Sequence, residues 1–255
     1  MLRGMYTSVS AMISLQSRQA VINNNIANIN TTGFKSEELL VKSFDDVMIS
    51  NNDKYIDGKG NKHEVGNLSF GVKIDETYTD RIQGTIYETD NSTDFALVGE
   101  GFFRVIDENE NEYFTRDGSF RVNNQGFLTT STGELVTATN LETEEIEPIL
   151  VGNERISLNQ NNELTIGNER YKFNVYNFDN TQELEKVSNN LYNGEGAFES
   201  NDAVIKQNHL EGSNVDYIEE TTLMMQTLKE FEANQKVIQT IDSTLAKIAN
   251  DIGRI

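Results

Sequence analysis

Between Val215 and Ile252 the chain spaces its seam residues in alternating steps of four and three: Met224, Leu228, Phe231, Gln235, Ile238, Asp242, Leu245, Ala249 and Ile252. Ile241 and Ile248 widen the seam on one side. This is the period of a helix with one apolar stripe, and no breaker interrupts it. Ser213 and Asp216 stand at the spacing of a capping box, which predicts a start near Asn214. At about 1.5 Å per residue such a helix spans roughly 55–60 Å, longer than a compact domain of this size buries. A helix like this needs a partner along its length. Gln235 and Asp242 cost stability in the seam but fix register and partner number. The alternative is an amphipathic helix lying on its own domain, which the length disfavours.

The N-terminus repeats the pattern more weakly. Leu2, Met5, Val9, Met12, Gln16, Gln19, Asn23 and Ile26 follow the same steps, flanked by Tyr6, Ile13 and Ala20. A lone helix of roughly 25 residues with so thin a stripe does not hold itself together in water. The cluster from Asn23 to Asn28 is a poor helix former by propensity. It reads either as a fraying end or as amides set into a helix–helix interface to fix register. Thr31-Thr32-Gly33 supplies the stop, with Gly33 suited to a left-handed residue.

The 255 residues suffice for one large domain or two modest ones. Forty-one acidic against twenty-one basic residues give a net charge of −20, spread along the chain. Nucleic acid requires clustered Lys and Arg, so it is excluded as a partner. The same charge makes copies of the chain repel one another at long range, so self-association has to rest on apolar burial and screening. The absence of cysteine removes disulfides, thiolate chemistry and Cys-based zinc sites. No apolar run reaches the ~18 residues of a membrane span, and residues 1–15 lack the continuous apolar core of a secretory signal.

The middle of the chain reads as β. Residues 38–66 are rich in Asp, Asn, Lys and Gly and predict a loop around Asn51-Asn52-Asp53 and Gly58-Lys59-Gly60. Leu68, Phe70, Val72 and Ile74 alternate as one half-buried strand. Phe103-Arg104-Val105 and Tyr113-Phe114-Thr115 flank a polar turn, Asp117-Gly118 and Asn124-Gln125-Gly126 mark two more, so 95–130 reads as a β-meander, and Tyr171, Phe173 and Val175 form another alternating run. Chemistry-like motifs fail on inspection. Gly99-Glu100-Gly101 lacks the third glycine and the following helix of a dinucleotide fingerprint. Asp107, Asn109 and Asn111 have the first three calcium-loop spacings, but Glu112 replaces the obligatory glycine and Gly118 the bidentate glutamate. His63 and His209 have no partner at ligand spacing, and Arg116-Asp117 reads as a turn-stabilising ion pair. No cofactor, metal or catalytic group is expected.

Several stretches carry a resemblance. Asn24-Asn25-Ile26-Ala27-Asn28-Ile29-Asn30-Thr31-Thr32-Gly33-Phe34-Lys35 resembles the signature of the flagellar rod and hook family of bacterial axial proteins. So do Leu210-Glu211-Gly212-Ser213-Asn214-Val215 and the tail from Met224 to Asp242. Between them, the runs Phe95–Phe103 and Tyr113–Phe120 are similar to the family's central β-domain. The resemblance implies a structural subunit whose terminal helices line a central channel with β-domains outside. It also implies export from the cytoplasm through the flagellar apparatus without a cleaved signal, and location in the flagellar basal body. Its partners would be further copies of itself, adjacent rod and hook axial proteins and the export apparatus.

The expectation is therefore an α+β chain. Residues 1–35 and 213–255 form a helical assembly domain paired like a coiled coil, 36–69 a linker or extended loop, and 70–212 a mostly antiparallel β-domain. The assembly interface is expected to use Val9, Ile13, Asn24, Asn28, Gly33, Phe34, Leu228, Phe231, Ile238, Leu245 and Ile252. Within the family the chain is too short for a hook subunit, and the stretch 46–67 resembles the insert of distal rod members; proximal rod or hook subunits are the alternatives. From another class, an enzyme or carbohydrate-binding β-domain oligomerised by its helices would show a concave pocket of converging polar groups. A surface adhesin would need an anchoring signal.

Overall fold

The structure is a computed structural model that describes residues 2–56, 59–159, 161–180, 184–188, 190–200 and 203–253, without the side chains of residues 2, 51–63 and 252. The expectations for Gly58 and for the side chains of His63 and Ile252 lie outside the described residues. The fold is α+β, with two helices and sheets whose pairings are mostly antiparallel. The chain divides into two compact units. The first takes residues 1–26, 37–78 and 217–255; the second takes 27–36 and 79–216.

In the first unit, helix α1 runs Leu2–Ala27 and helix α2 runs Tyr217–Ile252. α2 begins three residues later than predicted. Ser213 Oγ instead accepts the Val215 N–H at 3.2 Å in a turn, which leaves Asp216 at the cap position with Glu219 and Glu220 in the first turn. All three acids suit the positive end of the helix dipole. Strand β1 (Glu37–Ser43) pairs with β4 (Val72–Thr79), and β2 (Val47–Ile56) pairs antiparallel with β3 (Lys59–Leu68). The predicted loop is thus a hairpin. Its Asn- and Lys-rich composition hid the pairing because the strands bury little: every side chain from Glu64 to Leu68 is exposed. The single strand predicted over 68–74 breaks at Ser69–Gly71. Gly71 has φ 131°, and a Cβ there would sit 2.1 Å from Ser10 Oγ of α1, so only glycine lets the chain pass so close.

The two helices run antiparallel. Ile241 lies 3.7 Å from where a side chain of Gly4 would begin, and Asn25 bonds Glu220, so the contacts rise along α1 as they fall along α2. The line of α1 most removed from solvent is Ser8, Ala11, Leu15, Arg18, Ile22 and Asn25. That is one residue behind the predicted Val9, Met12, Gln16, Gln19, Asn23 and Ile26, a rotation of about 100°. On α2 the inward line is Glu220, Met224, Thr227, Phe231, Asn234, Ile238, Ile241 and Leu245. Half of the predicted seam holds, while Leu228, Gln235 and Asp242 give way to their neighbours Thr227, Asn234 and Ile241. Among the described residues of this unit, only Leu15, Ile22 and Leu39 are buried large apolar side chains. A cavity of about 380 Å³ stays open where Ala11, Ser14 and Leu15 face Ala233 and Asn234.

The second unit has a dense core. Its strands β5 (Ile86–Glu88) and β6 (Phe95–Val98) pair with His209–Glu211 and Val204–Gln207, the two strands that precede α2. The predicted meander is broken here, because β6 joins Val204–Gln207. The next two strands, β7 (Phe102–Ile106) and β8 (Glu112–Thr115), do form the expected antiparallel hairpin. Asp107, Asn109 and Asn111 make its tip, with Asp107 N–H donating to Asn111 O at 3.0 Å. β7 also pairs with Leu135–Asn140 and Val175–Asn177 in a 13-stranded sheet. It is buried on both faces. Phe103 and Val105 enter the main core with Phe120, Phe173 and Leu128, whereas Phe102 joins Phe114, Phe178 and Tyr192 in a second, aromatic cluster. The consecutive phenylalanines of Gly101-Phe102-Phe103 thus anchor two cores at once.

Candidate assembly surface and the buried clasps

Two polar clasps hold the chain's family-like motifs in place, one in each unit. In the first unit Asn25 is 1% exposed, and its amide joins α1 to two other segments. Nδ2 donates to Glu37 O at 2.9 Å and to Glu220 Oε1 at 2.7 Å, while Oδ1 accepts the Glu37 N–H at 3.0 Å. The end of α1, the start of β1 and the start of α2 therefore meet on one side chain. Glu220 is buried with one oxygen, Oε2, unpartnered, and burial pushes its carboxyl up from the ordinary value of 4.5; the Asn25 hydrogen bond opposes this, and the charges of Glu219 and Glu38 add to it. The sequence pointed to the amide cluster as a register device, but to Asn24 and Asn28. Asn24 is exposed on the helix, and Asn28 closes the turn after it, accepting from Thr31 Oγ1 at 3.1 Å.

In the second unit the clasp is ionic. Glu211 is 2% exposed and takes Lys35 Nζ at 2.6 Å on one carboxylate oxygen and Arg116 Nε at 2.7 Å on the other. Lys35 also donates to Ile82 O at 2.7 Å, and Arg116 reaches the carbonyls of Gly99 and Gly101. The backbone joins in: Gly33 N–H donates to Glu211 O at 2.8 Å, and Gly84 N–H to Glu211 Oε1 at 3.0 Å. Burial alone would raise the Glu211 carboxyl, but the two cations outweigh it and hold the group below the usual carboxylate range. Burial lowers Lys35, with Glu211 opposing. Arg116 thus turns to Glu211 instead of its neighbour Asp117, which accepts from Thr32 Oγ1 at 2.6 Å and from Ser119 N–H at 3.0 Å. Asn214 completes the arrangement, accepting the Ser36 N–H at 2.8 Å and donating to Asp80 O at 3.0 Å.

Gly33 and Phe34 belong to this second clasp. Gly33 has φ 67°, as a left-handed stop requires, and a Cβ there would fall 2.6 Å from the Asp117 nitrogen. Phe34 is buried beneath the Lys186 ammonium, 4.6 Å from its ring centre. The remaining predicted residues lie on the helices. Val9 at 40% and Ile13 at 56% exposure join Tyr6 in a stripe about 150–170° around α1 from the buried line. Phe231, Ile238 and Leu245 sit half-buried on the inward line of α2, and Leu228 is 39% exposed beside it. Ile218, Met225 and Val237 are further apolar side chains left open on α2. Sequence reasoning missed Asn25, Glu220 and the Lys35–Glu211–Arg116 cluster; positions inside the family-like motifs marked all of them but Glu220.

The clasp draws Lys35, Arg116 and Glu211 from three distant stretches, and each stretch matches a family. Residues 5–35 match the family described as flagella basal body rod protein. Residues 96–171 match the flagellar hook protein FlgE/F/G D1 domain, and 206–252 the flagellar basal body rod FlgEFG protein C-terminal region. Along its whole length the chain is 30% identical to the flagellar hook-basal body complex protein FlhO of Bacillus subtilis, all of both chains being covered. It is also 30% identical to the flagellar basal-body rod protein FlgG of Bacillus subtilis over 98% of this chain and 99% of that one. With FlgG of Borreliella burgdorferi the identity is again 30%, over the whole of both. The chain belongs to the flagellar basal-body rod protein family. It is a structural subunit of the flagellar rod, of the distal type that FlgG represents, and not an enzyme. The clasp residues of this rod protein thus tie together the three regions by which the family is defined. No helix among the described residues is long and apolar enough to cross a membrane.

Proposed function

We propose that this rod subunit polymerises with further copies of itself through α1 and α2, which pair in the manner of a coiled coil, into a hollow helical shaft. In this reading residues 1–35 and 213–255 are the assembly domain and 70–212 the outer β-domain. Adjacent rod and hook proteins continue the same stacking, and the subunit reaches its place through the flagellar export apparatus, as the family resemblance implies. One observation carries the proposal: among its described residues the first unit buries only three large apolar side chains, yet leaves Tyr6, Val9, Ile13, Ile218, Met225 and Val237 in water along its helices. An apolar stripe left open along so long a helix marks a surface built for another protein. A heterologous contact of that kind, repeated without closing, generates a filament.

The test is assembly of the purified chain. Ile13→Ala and Val237→Ala remove apolar contact from the open seam of the two helices, and Lys247→Ala, on an exposed position, serves as control. A loss of about 1.4 kcal/mol per added subunit raises the critical concentration tenfold. Both seam variants should therefore polymerise poorly by sedimentation while the second unit melts as in the parent. Seam variants that assemble at the parent's concentration would refute the helix-mediated shaft.

A further inference from the structure

The second unit holds a pocket of about 280 Å³ whose apolar wall is formed by Ile82, Phe102 and Tyr192 beside the Gly99–Gly101 turn. Three cations line it: Lys35 and Arg116, both at least nine-tenths buried, and Arg81. We propose that this pocket binds a carboxylate, and that in the assembled rod its occupant is an Asp or Glu side chain of a neighbouring copy. The identity of the occupant rests on the assembly reading above; the chemistry of the site does not.

The donors are there. An ammonium has three N–H groups and a guanidinium five. Lys35 spends two, on Ile82 O and Glu211 Oε1. Arg116 spends three, on Glu211 and the carbonyls of Gly99 and Gly101. Both therefore keep hydrogens for one further acceptor. Arg81 lies over the Tyr192 ring at 5.5 Å, which fixes its plane against the wall before any ligand arrives. Charge agrees. Glu211 neutralises one of the two deep cations from behind, Glu100 is the carboxylate in the lining and is exposed to solvent, and Asp80 acts on Lys35 from outside the lining. The apolar wall keeps the local dielectric low, so an incoming anion is attracted more strongly than at an open surface.

Size and supply point to the occupant. The pocket falls below the ~300–1,000 Å³ of sites for drug-sized ligands, and suits one side chain rather than a metabolite. A chain with forty-one acidic and twenty-one basic residues presents its neighbours with surplus carboxylates. A recessed cationic pocket turns that surplus from repulsion into a directional contact, which fixes register more than it adds affinity.

The experiment uses the full chain in two arms. In the first, amide and arginine side-chain NMR signals of the dilute chain are followed as sodium glutarate is added at constant ionic strength against sodium chloride. Saturable shifts at Gly99 and Gly101 with glutarate, absent with chloride and lost in Arg81→Gln, are expected; their absence overturns the site. In the second arm, Arg81→Gln should raise the critical concentration for assembly at least tenfold, Arg81→Lys should restore part of it, and glutarate should inhibit the parent. If Arg81→Gln disturbs folding, the Arg81→Lys variant and glutarate inhibition of the parent decide the matter unaided. Glutarate binding with unaltered assembly would leave a small-anion site only and overturn the neighbouring carboxylate as occupant. A parent chain that never assembles would refute the shaft, with the first arm still deciding the pocket.

Discussion

Glu211 is the residue on which most of the second unit's polar order depends. Removing its charge would strand Lys35 and Arg116, each side chain no more than 6% exposed, without a counter-ion. Breaking a buried pair from one side costs about 3–5 kcal/mol, far more than a surface ion pair is worth. Glu211→Gln should lower the unfolding free energy of the second unit by that amount in urea titration; a change under 1 kcal/mol would mean that the clasp is solvated. Gly33→Ala tests the same place through the backbone, since the new Cβ meets Asp117 N at 2.6 Å and φ is 67°. A loss of about 1–3 kcal/mol is expected from strain alone.

At the scale of elements, the two clasps answer to pH in opposite senses. Glu220 has a carboxyl raised above its ordinary 4.5, so the folded first unit holds its proton more tightly than the unfolded chain does. Its contribution is complete below about pH 4.5 and is lost as pH rises through the folded value. Glu211 is lowered, so its contribution is present above that ordinary value and lost as pH falls through the folded one. Amide exchange near Asn25 should therefore slow on mild acidification, whereas exchange at Gly33 and Gly84 should quicken only in strong acid. Glu220→Gln should flatten the first response and leave the second untouched. These elements also show what sequence can carry. The period of α2 and the left-handed Gly33 were legible because spacing and a stop signal are local. The line of α1 was displaced by one residue because only Leu15 and Ile22 on it are large and apolar, and the rest, Ser8, Ala11, Arg18 and Asn25, are small or polar groups that hydropathy weighs little. The β2–β3 hairpin escaped notice because its described ends, Val47–Met48 and Glu64–Leu68, are exposed, and strand ends that bury little need no apolar alternation. The ionic clasp was illegible because charged residues read as surface, and its members stand 95 and 176 residues apart.

For the whole molecule, the contrast is between a second unit with an aromatic core and a first unit with three buried large apolar side chains among its described residues. In dilute solution, amides of α1 and α2 should exchange well before those of β7 and β8, and gain protection on assembly. Equal protection at low concentration would show that the helices need no neighbour. The net charge of −20 sets a second expectation. The screening length shortens from about 10 Å at 0.1 M salt to about 3 Å at 1 M, so polymerisation should speed up with added salt. Slowing would mean that specific ion pairs, such as the proposed carboxylate contact, outweigh the general repulsion.

Asn25 touches Glu220, 195 residues further along the chain. A contact of such long range cannot close until almost the whole polypeptide has emerged, whereas the second unit is complete by residue 216. In the proposed shaft the joining face is thus the last part of each molecule to be finished, and a chain that stops short of its final 36-residue helix would have a folded body without that face. On that proposal the order of folding itself would screen out incomplete subunits before they could cap a growing end.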